Sequence, residues 1–190
     1  MFYIFEMANN HQGSINHAKK IIDAFALVAH KKNLNAAIKF QFRQLDSFVH
    51  EDYKKSDLKF VKRFNSTRLE KYQFAELIDY VKKSGLCAVA TPFDNASLPW
   101  LKDLKVDVVK IASCSVDDWV LLKEVALINK KIVISTGGAT LKHLKKVYKL
   151  FKKHHRQFAF MHCVGEYPTP HTAANLARIT RLQEEFSDIE

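Results

Sequence analysis

Six times along this chain a short apolar run stops at polar residues and is followed by a helical pattern. No other feature constrains the fold as much. Ile4-Phe5 runs into Glu6, Met7, Ala8, Asn9, Asn10 and His11, Ala37-Ile38 into Lys39, Phe40 and Gln41, and Val89-Ala90 into Thr91, Pro92, Phe93 and Asp94. Val108-Val109 then runs into Lys110, Ile111, Ala112 and Ser113, Val133-Ile134 into Ser135, Thr136 and Gly137, and Phe158 to Met161 into His162, Cys163, Glu166 and Tyr167. Strands that alternate with helices form parallel sheets, and in such arrays the chemistry sits at the C-terminal ends of the strands. The apolar runs lack clean alternation, as expected of strands covered on both faces.

Strands are expected near 2–7, 36–41, 87–91, 107–112, 131–135 and 157–162, with helices near 14–31, 67–84, 96–104, 117–129, 140–154 and 173–186. The helices rest on apolar residues at three- and four-residue steps, such as Ile21, Phe25 and Val28, and Leu144, Val147 and Phe151. Ser14, Thr67 and Thr140 are candidate N-caps, and Glu70 three residues after Thr67 would complete a capping box. The expected fold class is α/β, an incomplete (β/α)8 TIM barrel with about six of its eight β/α units, forming one domain over 1–190. The stretch 42–66 is the one long connection and reads as a lid or insertion at the rim, with Phe42, Phe48, Phe60 and Phe64 available to dock it.

Bulk properties exclude several classes. No apolar run approaches the roughly 20 residues of a membrane span, and the N-terminus has no basic region leading an apolar segment, so a soluble cytoplasmic protein without membrane partners is expected. The formal charge of +10 lies mostly on helix faces such as Lys145-Lys146 and Lys152-Lys153, with no nucleic-acid-binding signature beside it. Three cysteines, Cys87, Cys114 and Cys163, are odd in number and lack metal-type spacing, which argues against a disulfide framework and for a reducing compartment. Cys163 is read as packing rather than as a catalytic thiol, His162 as a hydrogen-bonded structural residue, and His11 either as ordering the first loop or as catalytic.

Two lysines differ from the rest because they directly follow buried runs. Lys39 and Lys110 end two strands, and a cation there attracts an anionic substrate by roughly 4 kcal/mol per charge pair at 4 Å and an effective dielectric near 20. Thr91 and Ser113 can add hydroxyl donors. Glu6, the acid that ends the first strand, can hold a sugar hydroxyl or carry a proton.

Taken together, Glu6 to Gly13, Ile38-Lys39-Phe40-Gln41, Thr91-Pro92-Phe93-Asp94, Lys110 to Ser113, Ser135-Thr136-Gly137, and His162-Cys163 with Tyr167-Pro168-Thr169-Pro170 resemble the sialic acid synthase family. The resemblance runs from Tyr3 to about Glu185 and looks like the branch concerned with surface or spore-coat polysaccharide sugars. It implies a barrel that condenses phosphoenolpyruvate with an N-acylated amino sugar such as N-acetylmannosamine, giving a nonulosonic acid and phosphate. It also implies dependence on a divalent metal, manganese or magnesium, and a homodimer. Carried onto this chain, Glu6, Lys39 and Lys110 are catalytic, while Gln41, Thr91, Asp94, Ser113 and Tyr167 bind substrate. Phosphoenolpyruvate contacts are expected of Lys39, Lys110, Thr91 and Ser113, and acceptor-sugar contacts of Glu6, Gln41 and Tyr167.

The resemblance places the metal ligands beyond this chain, with the last barrel units and a C-terminal antifreeze-like domain. Two positions depart from the family pattern: Ser115 stands where a glutamate is typical and Gly165 where an asparagine is. Two other readings stay open, a Schiff-base aldolase using a strand-end lysine, and a truncated or degenerate barrel that binds phosphosugars or partners without turnover.

Overall fold

A computed structural model describes residues 1–189 and divides them into two compact units, Met1–Asp107 and the part from Val108 onward. In the first unit β1 (Phe2–Glu6), β2 (Asn35–Phe42) and β3 (Cys87–Pro92) are parallel neighbours in that order. In the second, β4 (Val108–Ile111), β5 (Lys131–Ser135) and β6 (Phe158–Met161) repeat the pattern. The expected α/β class and its six β/α units are borne out. No helix among the described residues is long and apolar enough to cross a membrane.

Each strand is followed by helix, for sequence reasons that can be named. In α1 (Ile15–Lys31), Ser14 caps the start by accepting from His17 N, and Ala18, Ile22, Ala26 and Ala29 form the buried stripe. In α7 (Leu141–Lys153), Thr140 accepts from His143 N, and Leu144, Val147 and Phe151 are buried while the lysines between them stay wet. Such caps stabilise a helix by about 1 kcal/mol, and burial of each apolar side chain adds about 1.5–3 kcal/mol.

The helix expected from 67 begins later. α4 (Lys71–Lys83) has Glu70 as its N-cap, with Gln73 closing the capping box, and Thr67 instead ends the preceding helix by donating to the Arg63 carbonyl. The residue that sequence spacing assigned as box partner is therefore the cap itself. The connection 42–66 contains α2 (Leu45–Phe48), a 3₁₀ turn at Glu51–Tyr53 and α3 (Lys59–Ser66). Phe48 and Phe64 dock edge to face at 5.9 Å, but Phe60 is 67% exposed. Further on, α5 (Leu98–Asp103), α6 (Trp119–Leu127) and α8 (Ala177–Glu185) are shorter than their expected spans, the first and last entered through 3₁₀ turns.

Period-two alternation sorts β2 into two faces. Phe40 and Phe42 are fully buried and pack on Phe74 of α4 at 6.1 and 5.0 Å, with Trp100 of α5 5.6 Å from Phe42. Lys39 and Gln41 consequently point to the other face, at the strand's C-terminal end.

Candidate active site

In the first unit the ladder registers decide which side chains meet. Glu6 on β1 is the direct partner of Lys39 on β2, and the two form an ion pair. The other Glu6 oxygen accepts the Ala8 amide at 3.0 Å, which fixes the carboxylate at the point where the chain turns off the strand. Gln41 is the register partner of Thr91 on β3. Thr91 is only 1% exposed, and its hydroxyl has no hydrogen-bond partner among the described residues. A buried unpartnered hydroxyl at a strand end is the kind of group a ligand or water satisfies.

Asp94 does something different. One of its oxygens accepts Ser97 N at 2.7 Å and the other accepts Gln44 N at 2.9 Å, so it clamps the loop after β3 to the residues after β2. His11 is buried, and its Nδ1 accepts the Gly13 amide at 3.1 Å, which matches the loop-ordering role expected of it. Burial, together with His17 nearby, pushes its pKa down to about 4, so the imidazole is neutral at physiological pH.

The second unit builds its cluster by stepping across three strands. Lys110 on β4 pairs with Val133 on β5, so Ser135 lies one pleat further along on the same face, and the Lys110 ammonium donates to its hydroxyl. Ser135 in turn pairs with Met161 on β6, and Cys163 lies two residues beyond. The Cys163 sulfur meets Ser113 Oγ at 3.0 Å and accepts the Gly137 amide at 3.2 Å. Lys110 is 8% exposed. Gly137 is required by close approach, since a Cβ there would stand 2.8 Å from Ser113 Oγ and 3.1 Å from Cys163 Sγ.

Burial alone would raise the Cys163 pKa. Donation from Ser113, Ser135 and the Gly137 amide, with the Lys110 charge, outweighs it and holds the thiol below its ordinary range. Cys163 is therefore hydrogen-bonded as well as packed. Ser135 and Gly137 carry no individual role in the sequence reading and Cys163 only a packing one, because which residues meet across a parallel ladder depends on a register that no single strand reveals.

Other expected residues fall into place around this cluster. His162 is the structural histidine expected, bonded through Nε2 to the Ala174 carbonyl at 2.8 Å. Tyr167 is 95% exposed. Ser115 is buried within a 3₁₀ turn, and of the two acids beyond it Asp118 caps α6 while Asp117 pairs with His143 at 3.1 Å. Gly165 has nothing within 4 Å of where a Cβ would be, so space does not demand a glycine there.

The profile of the NeuB family matches residues 27–190. The chain belongs to the NeuB family. It is similar to a spore coat polysaccharide biosynthesis protein E from Chromobacterium violaceum, at 38% identity and a TM-score of 0.96 over all of this chain and 56% of that one. The N-acetylneuraminic acid synthetase of Leptospira borgpetersenii is 31% identical with a TM-score of 0.84, over 97% of this chain and 61% of that one. Among curated relatives, the N,N'-diacetyllegionaminic acid synthase of Campylobacter jejuni is 29% identical over 96% of this chain and 57% of its own length. The chain spans about half the length of the curated relatives it matches.

The metal that such a family implies finds no fit in the described residues. Among them no three His, Cys, Asp or Glu side chains come together to hold an ion. The donors gathered around Lys110 are hydroxyls, an amide and a thiol beside an ammonium, which suits an anion better than a cation.

Proposed function

We propose that this NeuB-family chain is part of an enzyme that condenses phosphoenolpyruvate with an N-acylated amino sugar, giving a nonulosonic acid and inorganic phosphate. The observation that carries the reading is the Lys110 cluster. A largely buried ammonium beside the hydroxyls of Ser135 and Ser113 is the donor set that a phosphate or carboxylate takes up, and phosphoenolpyruvate carries both groups. The names of related synthases support the nonulosonic-acid class of product.

In the first unit, Lys39 and the unpartnered Thr91 hydroxyl are proposed to bind an anionic group, with Glu6 and Gln41 serving the acceptor sugar. In the second unit the fully exposed ring of Tyr167 is available to stack on a sugar. Asp94, whose two oxygens already hold backbone amides, contributes by fixing the loops next to Gln41 and Thr91.

The bonds balance as follows. The enol carbon C3 of phosphoenolpyruvate bonds to the aldehyde carbon of the open-chain sugar, and the aldehyde oxygen takes a proton. Water adds to C2, and the tetrahedral centre collapses to the keto group as the C2–O bond to phosphate breaks. A phosphate-release assay on the full-length protein tests this reading. Release from phosphoenolpyruvate that requires N-acetylmannosamine or a related N-acyl amino sugar supports it, and no acceptor-dependent release with any member of that class contradicts it.

A further inference from the structure

Gln41 is the last-but-one residue of β2, on the same face as Lys39, and Arg43 continues that two-residue alternation just past the strand. The Arg43 guanidinium donates from Nη2 to Gln41 Oε1 at 2.8 Å. Arginine has only donors, so the atom of the Gln41 amide that faces it has to be the oxygen. The amide is thereby oriented, and the group it turns to other partners is the NH2, a donor.

Arg43 is itself held in place. Its guanidinium lies 3.8 Å from the ring centroid of Phe93, 4.6 Å from that of Phe64 and 5.9 Å from that of Phe48. Phe93 follows β3, Phe48 belongs to α2 and Phe64 to α3, so the cage draws on both halves of the 42–66 connection. Cation–π contacts of this kind contribute about 0.5–2 kcal/mol each, and a planar guanidinium stacks where an ammonium would not. Gln41, Arg43 and Phe64 line a cleft with Asn9, His11 and Arg68, so the oriented amide opens onto space rather than into packed core.

We infer that Arg43 is the positioning residue that turns Gln41 into a dedicated hydrogen-bond donor, so that Gln41 recognises an oxygen acceptor on the amino sugar: a hydroxyl, an acyl carbonyl or a phosphoryl oxygen. The docked 42–66 segment sets this specificity by caging Arg43. The inference rests on the proposed function for the identity of the ligand, but the orientation of Gln41 by Arg43 stands apart from it.

The test therefore has two arms, both on the full-length protein. The first follows the Gln41 side-chain amide by 15N–1H NMR, with its signal assigned from its absence in Gln41→Glu. The wild type should show an ordered NH2 pair, Arg43→Met should move and broaden it, and Arg43→Lys, which restores a donor, should recover it in part. An unchanged Gln41 amide in folded Arg43→Met overturns the inference whatever the activity. The second arm measures steady-state kinetics with N-acetylmannosamine and phosphoenolpyruvate. Arg43→Met should raise the acceptor KM at least tenfold and leave the phosphoenolpyruvate KM within twofold, with Gln41→Glu at least as impaired. A displaced amide with an unaltered acceptor KM overturns the specificity role. If the wild type has no acceptor-dependent turnover, the proposed function fails while the amide arm still decides the role of Arg43.

Discussion

Glu6 and Lys39 are direct register partners on neighbouring parallel strands, and their ion pair occupies the C-terminal end of the first β/α unit. The carboxylate therefore competes with any incoming anion for the Lys39 ammonium. Glu6→Gln should tighten phosphoenolpyruvate binding several-fold, because it removes both the competitor for the ammonium and a like charge, while it lowers turnover of the acceptor. Lys39→Met should weaken phosphoenolpyruvate at least tenfold, about 1.4 kcal/mol. Isothermal titration calorimetry checks both, and weaker binding in Glu6→Gln would show that the carboxylate supports the anion site rather than competing with it.

The second-unit cluster makes a prediction that needs no substrate. Ser113, Ser135, the Gly137 amide and Lys110 together hold the Cys163 thiol below its ordinary pKa, against the opposing effect of burial. The rate of Cys163 alkylation by iodoacetamide, followed by peptide mass spectrometry, should rise with pH through an inflection below that of an ordinary thiol. Lys110→Met should shift the inflection upward. An inflection at or above the ordinary thiol value in the wild type would contradict the assigned donor geometry.

His11 links the first loop to acid stability. Its pKa is about 4 in the folded chain against an ordinary value of 6.5, so between those pH values the unfolded chain binds more protons than the folded one. The stabilisation is complete above pH 6.5, declines as pH falls, and is gone below about 4, amounting to at most about 3 kcal/mol. His11→Gln retains an acceptor for the Gly13 amide without ionising. Its urea-unfolding free energy should fall less between pH 6.5 and 4 than that of the wild type, and equal slopes would refute the assignment.

The strand ends were legible because each apolar run stops where the buried sheet does, and Lys39, Gln41, Thr91 and Lys110 are found where those runs predict. Pairings were not legible. That Ser135 meets Lys110 and that Cys163 meets Ser113 follows from the parallel registers of β4, β5 and β6, with no local sequence mark. The helices of 42–66 escaped notice because α2 and the 3₁₀ turn are too short to show a period, and α3 carries one buried residue, Val61. Thr67 and Glu70 show the same limit at a cap: threonine is the favoured N-cap type, yet the chain path puts Glu70 in that place.

In the proposed reaction phosphoenolpyruvate gives up its phosphate by C–O cleavage after forming a carbon–carbon bond to an amino sugar. The most direct measurement is the full-length reaction run in oxygen-18 water, with mass analysis of both products. The account predicts label at the C2 ketone of the nonulosonic acid and none in the released phosphate. Label in the phosphate, whatever is found at C2, would mean attack at phosphorus and would contradict the mechanism.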